Sequence, residues 1–445
     1  MISSYRELVE KYEQDNKILH IKKKVSSEYE AAALMKKTQG KIPMIFEKID
    51  DYKCKMACGL AGTRELLAES MGIKENEIIS HFTKAIVNPI PVTRVNSGPV
   101  HENVIEAPFD LDRYFPILKH CKKDAGRFLI SGIMTAKDIS GKKLYTSIRR
   151  MQYLGGNKCT VLITSKEMKE QFEYYKKNRQ PMDVAIMFGV VPAVILASQI
   201  STHLFNKNKL DVTGALLGKS LEVVHGKTVD IDVLSEAEVV IEGRVKPWIE
   251  ETEGPFGEMA GYYGNISKQP IVEFTALTFR NNPLYQTIFS SGHEEKIAMA
   301  IAREVVLLNL LRQTVPNVLE VHITFGGAGR LHSIIKIKKI NPGDGRQAAL
   351  AAFASDKDLK HVVVVDDDID IFNLEEVEWA IATRVQADKD VFIISGANGS
   401  PLEPSHNVNN VTAKMAIDAT CPLDDKRFER THIPYEDEVD LNDYI

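Results

Sequence analysis

Residues 253–258 read Glu-Gly-Pro-Phe-Gly-Glu, two carboxylates five positions apart around a core that cannot propagate a helix. Paired acids on a tight loop, held in unequal surroundings, can stay one ionised and one protonated near neutral pH, as general acid–base chemistry requires. Because Glu250 and Glu251 precede them, a solvated acidic turn is the competing reading. Residues 146–152, Thr-Ser-Ile-Arg-Arg-Met-Gln, set two guanidinium groups among apolar side chains just after a strand-like start. A guanidinium is costly to bury alone, so Arg150 requires a carboxylate from the protein or from a substrate. Taken by itself the arginine pair also suits a surface.

Other clusters carry less. The run from His361 to Asp370 ends in Asp-Asp-Asp-Ile-Asp and could hold a metal, but acids after a buried strand also suit the start of a helix over residues 375–384. Gly326-Gly327-Ala328-Gly329 lacks the Lys-Ser/Thr that a phosphate loop needs and reads as a turn. Cys54 and Cys58 have no second close pair to complete a zinc site. No metal ligand set is assigned.

Those residues must be positioned by a large chain. At 445 residues it is long enough for about three domains at roughly 150 residues each. Its 44% hydrophobic and 26% charged content excludes collagen-like, coiled-coil and wholly disordered classes. A net charge of −5 without a long basic run argues against nucleic acid as partner. The lysine clusters near 22–24 and 336–339 read as solvated faces. Five cysteines are too few and too odd for a disulfide framework, and residues 1–11 lack a signal-peptide core, so a cytoplasmic protein is expected. The uncharged stretch 184–202 contains Gly189, Pro192, Ser198 and Gln199, and reads as a buried strand, a turn and a further apolar segment rather than a membrane span.

The patterns predict an α/β multi-domain chain. Residues 1–110 alternate helix and strand: Ser4 caps a helix through Lys11, residues 28–38 have helical spacing, 42–46 are an apolar run, and Thr63 opens a helix over 64–71. Residues 111–292 are strand-rich, with runs at 129–135, 160–163, 184–188, 221–224, 237–245 and 271–279, and suggest an antiparallel sheet or barrel. Residues 293–313 form a linking helix of about 30 Å. Residues 314–445 alternate again: strands at 319–325, 334–340, 361–365 and 390–394 and helices at 345–353 and 375–384 make a third domain, with the last 25 residues as an arm across a neighbour or a loose tail.

Five segments in one order, Ser-Ile-Arg-Arg-Met-Gln (147–152), Glu-Gly-Pro-Phe-Gly-Glu (253–258), Val-Asp-Asp-Asp-Ile-Asp (365–370), Trp-Ala-Ile-Ala-Thr-Arg (379–384) and Ile-Asp-Ala-Thr (417–420), resemble the UbiD-type decarboxylases. The resemblance runs from Gly-Leu-Ala-Gly-Thr-Arg (59–64) to about residue 420. It implies an N-terminal α/β domain, a central flavin-reductase-like split β-barrel that binds flavin, and a C-terminal α/β domain that helps form a homodimer or homohexamer. It further implies prenylated FMN as cofactor, supplied by a flavin prenyltransferase, and reversible non-oxidative decarboxylation of an aromatic, heteroaromatic or α,β-unsaturated acid. Arg150, Glu253 and Glu258 match the family's catalytic network. Here Arg150 would orient the substrate carboxylate and pair with Glu253, and Glu258 would deliver the proton that replaces carbon dioxide.

The positions that match its cofactor contacts are Thr146, Ser147, Ile148, Arg149, Arg150, Glu167, Ser198, Gln199 and Lys209. Where the family holds the phosphate through a divalent metal on Asn, His and Glu, this chain has Tyr145, Glu167 and Lys209, which puts metal binding in that manner in doubt. Two readings follow. Either the Lys209 ammonium replaces the metal's charge, steadied by Glu167, or the chain is a non-catalytic flavin-binding or complex-forming subunit on the same scaffold.

Overall fold

The computed structural model describes residues 2–141, 143–163, 165–200, 207–407, 409–435 and 438–444, without the side chains of 166, 167 and 441. It divides into two compact units, Met1–Val305 with Phe325–Arg330, and Val306–Thr324 with Leu331–Ile445. Among the described residues no helix is long and apolar enough to cross a membrane.

The first unit opens with the capped helices the sequence predicts. Ser4 Oγ accepts from the amide of Glu7 at 3.1 Å ahead of the helix Tyr5–Gln14, and Thr63 Oγ1 from Leu66 at 3.1 Å ahead of Arg64–Met71. A four-stranded sheet lies with them, in the order Leu19–Ile21, Met44–Phe46, Lys55–Cys58, Leu284–Gln286. The helix Ile78–Val87 packs its Phe82 and Ile86 into the same apolar cluster as the helices Pro192–Ser198 and Lys209–Leu216.

An antiparallel sheet positions the arginines. Its order is Phe128–Leu129, Met151–Gly155, Lys158–Thr160, Ser267–Phe279, Val239–Glu253, Met182–Phe188, Ile133–Lys137, Leu144–Ile148, with Asn103–Glu106 added beside Ser267–Phe279. Leu144–Ile148 stands at one end of that order, and Met151–Gly155 next to the other end. Only Arg149 and Arg150 join them. Two residues reach at most about 7 Å, so the sheet must curl until its ends meet, giving a half-barrel with both arginines at its seam. Val184, Ile186, Phe188, Val239, Ile241, Phe274 and Leu277 fill the inside.

Two predicted strands are corrected. The run 129–135 is broken at residues 130–132, where a Cβ on Gly132 would come within 2.6 Å of Ile186 Cγ2, and of 160–163 only Thr160 is paired in a strand. The stretch 184–202 begins as a buried strand and turns at Gly189 into the fully buried helix Pro192–Ser198.

The second unit is a five-stranded sheet ordered Val318–Ile323, His332–Ile337, His361–Val365, Val411–Ala419, Val391–Asn398, with the helices Asp344–Ser355 and Leu374–Arg384. The acidic run after His361–Val365 serves a buried arginine: Arg384 donates to Asp366 at 2.9 Å and to Asp368 at 3.0 and 2.6 Å. No group of three metal-ligating side chains occurs among the described residues. Burial works against the charge of Asp368, yet Arg384 holds its carboxyl below the ordinary range. The pair therefore stabilises this unit above the unfolded carboxylate range and loses that contribution as pH falls. Arg384→Met is expected to lower stability by about 1–3 kcal/mol, read as a lower denaturant midpoint at neutral pH, because two partly covered carboxylates lose their donors.

Candidate active site

At the barrel seam Arg150 meets both acids of residues 253–258. Its Nε and Nη2 donate to Glu253 Oε1 and Oε2 at 2.9 and 2.8 Å, a parallel two-point contact, and Nη1 donates to Glu258 Oε1. The Arg150 side chain is 11% exposed, that of Glu253 fully buried and that of Glu258 18% exposed. Phe256 lies under the guanidinium, 5.1 Å from ring centroid to Cζ, and packs on Phe128. The cation that sequence leaves between protein and substrate partners is thus paired within the protein.

The two acids reach Arg150 from different supports, which corrects the expectation that both sit on one tight loop. Glu253 is the last residue of the long strand Val239–Glu253 and lies opposite Ser267. Glu258 rides on the connection that follows, where Gly254 adopts φ +89° and donates its amide to Gln152 Oε1 at 2.9 Å. A Cβ at Gly254 would lie 3.0 Å from the Asn265 carbonyl, so glycine is required for both backbone angle and space. At Gly264 an added Cβ would come within 2.5 Å of Glu258 Oε1. Gly264→Ala is therefore expected to displace Glu258 and lower kcat at least tenfold, with a smaller effect on thermal stability than on rate.

These surroundings treat the acids unequally. Burial pushes the Glu258 carboxyl above its ordinary range, the Arg150 charge opposes the shift, and the Glu253 charge adds to it. Glu258 is accordingly the member disposed to carry a proton. Residues that sequence reading missed fix its loop: Asp124 Oδ1 accepts from the Gly257 amide at 2.9 Å, Asp124 Oδ2 from Cys121 at 2.8 Å, and Ser290 Oγ donates to the Gly257 carbonyl at 2.5 Å. Gln152 stood inside the arginine motif and was legible as polar; Asp124 and Ser290 carried no local signal.

Of the residues matched to cofactor binding, Ile148, Ser198, Gln199 and Lys209 gather on one flank of the seam. Helices Pro192–Ser198 and Lys209–Leu216 pack against the strand Leu144–Ile148. Lys209 is 8% exposed and its Nζ donates to the Ser198 carbonyl at 2.6 Å, while Gln199 Nε2 donates to Ser198 Oγ at 3.1 Å. Ile148 packs toward these helices, and Thr146 is buried with its hydroxyl 3.1 Å from that of Thr135. Ser147 is half-buried and pairs with Met134. Arg149 reaches Ser165 Oγ at 3.3 Å, beside the helix Lys166–Asn178. Tyr145 packs into the barrel interior. The side chain of Glu167 lies outside the described residues.

Known proteins share this fold. Family models described as the N-terminal, Rift-related and C-terminal domains of 3-octaprenyl-4-hydroxybenzoate carboxy-lyase match residues 9–86, 92–293 and 296–419. The UbiD-class enzyme HmfF of Pelotomaculum thermopropionicum, solved in complex with FMN, superposes with a TM-score of 0.96 at 41% identity, covering 99% of this chain and 100% of that one. An evolved dimeric form of HmfF, solved with prFMN, gives 0.92 at 39% identity with full coverage of both. Anhydromevalonate phosphate decarboxylase of Methanocaldococcus jannaschii is 35% identical over 419 residues, 92% of this chain and 96% of that protein. Gallate decarboxylase of Lactiplantibacillus plantarum is 29% identical, covering 88% and 87%. With all three domain models matched and the architecture shared along the whole chain, the protein belongs to the UbiD family of carboxy-lyases.

Proposed function

We propose that this enzyme releases carbon dioxide reversibly from an aromatic, heteroaromatic or α,β-unsaturated carboxylic acid, using prenylated FMN. The observation that carries the reading is the buried Arg150–Glu253–Glu258 set, in which one acid is tied to the arginine at two points and the other is raised in pKa. The cofactor relatives bind suits the donor chemistry here: a buried ammonium, Lys209, lies on the helix flank of the seam, where a phosphate would need a cation. Bound there, prenylated FMN supplies the electron sink that loss of carbon dioxide from an sp² carbon demands. Thr146, Ser147, Ile148, Arg149, Ser198 and Gln199 would shape the rest of its site.

The chain's own residues orient the substrate and handle its proton. A guanidinium has five N–H donors, and three serve Glu253 and Glu258, which leaves two for a substrate carboxylate. Glu253 holds the fork in plane. Glu258 gives its proton to the carbon that loses carbon dioxide and ends the cycle as a carboxylate, so each turnover consumes one proton. At high bicarbonate the same steps run in reverse.

The test is to produce the protein together with a flavin prenyltransferase and follow carbon dioxide release over a panel of such acids. Turnover on at least one acid with prenylated FMN, and none with ordinary FMN, is expected; robust decarboxylation on ordinary FMN would overturn the cofactor assignment. Lys209→Met should weaken flavin retention tenfold or more, about 1.4 kcal/mol, while chelators leave the wild-type flavin in place. Lys209→Glu alone should not create metal dependence, because Tyr145 and Glu167 still fail to match the family's Asn and His. Flavin loss from the wild type on chelation would show the lysine assignment wrong. The five free cysteines suit a reducing cytoplasm, and we expect a homodimer or homohexamer.

A further inference from the structure

Glu258 must be reloaded with a proton after every turnover, and Arg150 covers one side of it. Next to its loop lies Ser290, in the turn that enters the helix His293–Thr314. This turn is tied to the acid's loop by the 2.5 Å hydrogen bond from Ser290 Oγ to the Gly257 carbonyl. Ser291 then adopts φ +66°, a left-handed conformation unusual for serine, and directs its amide to Glu295 Oε2 at 2.6 Å. One carboxylate oxygen of Glu295 is thereby pinned within the first helical turn. Glu295 is half-buried and keeps contact with solvent.

The neighbouring Glu294 is built differently. It is 4% exposed and accepts from the Gly59 amide at 2.5 Å and from Ala61 at 3.4 Å, which makes it a tether for the loop after the strand Lys55–Cys58. Burial pushes the carboxyls of both adjacent acids up to about 7, and of the two Glu295 is the one that feels the charge of Glu258.

We propose that Glu295 is a positioning and relay residue that takes a proton from solvent and passes it to Glu258 between turnovers. The step balances: after carbon dioxide leaves and the substrate carbon is protonated, the Glu258 carboxylate gains a proton from the Glu295 carboxyl, and Glu295 recovers one from water. Burial pushes the Glu295 carboxyl up to about 7, the amide of Ser291 opposes the rise, Glu258 adds to it, and Lys296 and Arg330 pull it down. A carboxyl in that range can both accept and release a proton at neutral pH. The inference rests on the decarboxylase reading given above.

The test compares Glu295→Gln with wild type and with Glu294→Gln in the prenylated-FMN holoenzyme. The first turnover of Glu295→Gln should match wild type, because Glu258 starts protonated, while steady-state kcat falls tenfold or more at unchanged KM and loses its near-neutral pH limb. Glu294→Gln should retain the wild-type pH profile. A merely structural role would slow first and later turnovers alike, and that result would overturn the proposal, as would an unchanged steady state. Infrared titration of protonated carboxyl bands needs no turnover and so separates this inference from the assigned reaction. Glu295→Gln should remove one near-neutral band, and Glu258→Gln should lower that band's midpoint, because Glu258 itself ionises across the titration and its carboxylate raises the Glu295 carboxyl. A midpoint indifferent to Glu258→Gln would refute the coupling whether or not the enzyme decarboxylates.

Discussion

Glu258→Gln is expected to reduce turnover by about 10²- to 10⁴-fold, the range associated with loss of a positioned proton donor. The amide keeps the shape of the side chain and can still accept a hydrogen bond from Arg150, so the fold and flavin content should stay close to wild type. Steady-state carbon dioxide release, circular dichroism and flavin absorbance on the same preparation separate the two effects. Near-normal turnover would remove Glu258 from the chemistry. Arg150→Lys should also cripple the enzyme, because an ammonium cannot reproduce the parallel contact with Glu253.

The second large effect is on stability. Glu253→Ala removes the fully buried partner of a guanidinium that is itself only 11% exposed, and is expected to cost about 3–5 kcal/mol. The remaining contact to Glu258 places the loss toward the lower end of that range. Glu253→Gln, which keeps an acceptor and the volume, should cost clearly less. Urea midpoints of the two variants at neutral pH check the order, and equal midpoints would show that Arg150 draws its stability from elsewhere.

Sequence carried the helices and most of the strands wherever a local signal existed. Ser4 and Thr63 mark true caps because a hydroxyl that accepts a first-turn amide is a local event, and the four valines that follow His361 form with it a central strand as read. The helix Lys166–Asn178 was missed because its many charged residues hide a short apolar stripe, and Val411–Ala419 because its alternation mixes lysine and aspartate into a strand paired on both sides. At the site, residue types and spacing in two motifs brought Arg150, Glu253 and Glu258 forward. Nothing local says that Glu253 ends a strand while Glu258 lies beyond it, since that depends on register with Ser267. Asp124 and Ser290 reach the loop of Glu258 only through tertiary packing.

The seam described above also sets the order in which a newly made chain can become an enzyme. Arg150 finds Glu253 and Glu258 across 103 and 108 residues, so the constellation cannot form until the chain through residue 258 is available and the strand Val239–Glu253 has docked. Contacts this distant are made late, after the entropy of closing so long a loop has been overcome. Until then the guanidinium stays hydrated and the acid keeps an ordinary affinity for protons. A partly folded chain can therefore hold native helices without any poised acid, and recovery of activity during refolding should report closure of the barrel rather than formation of secondary structure.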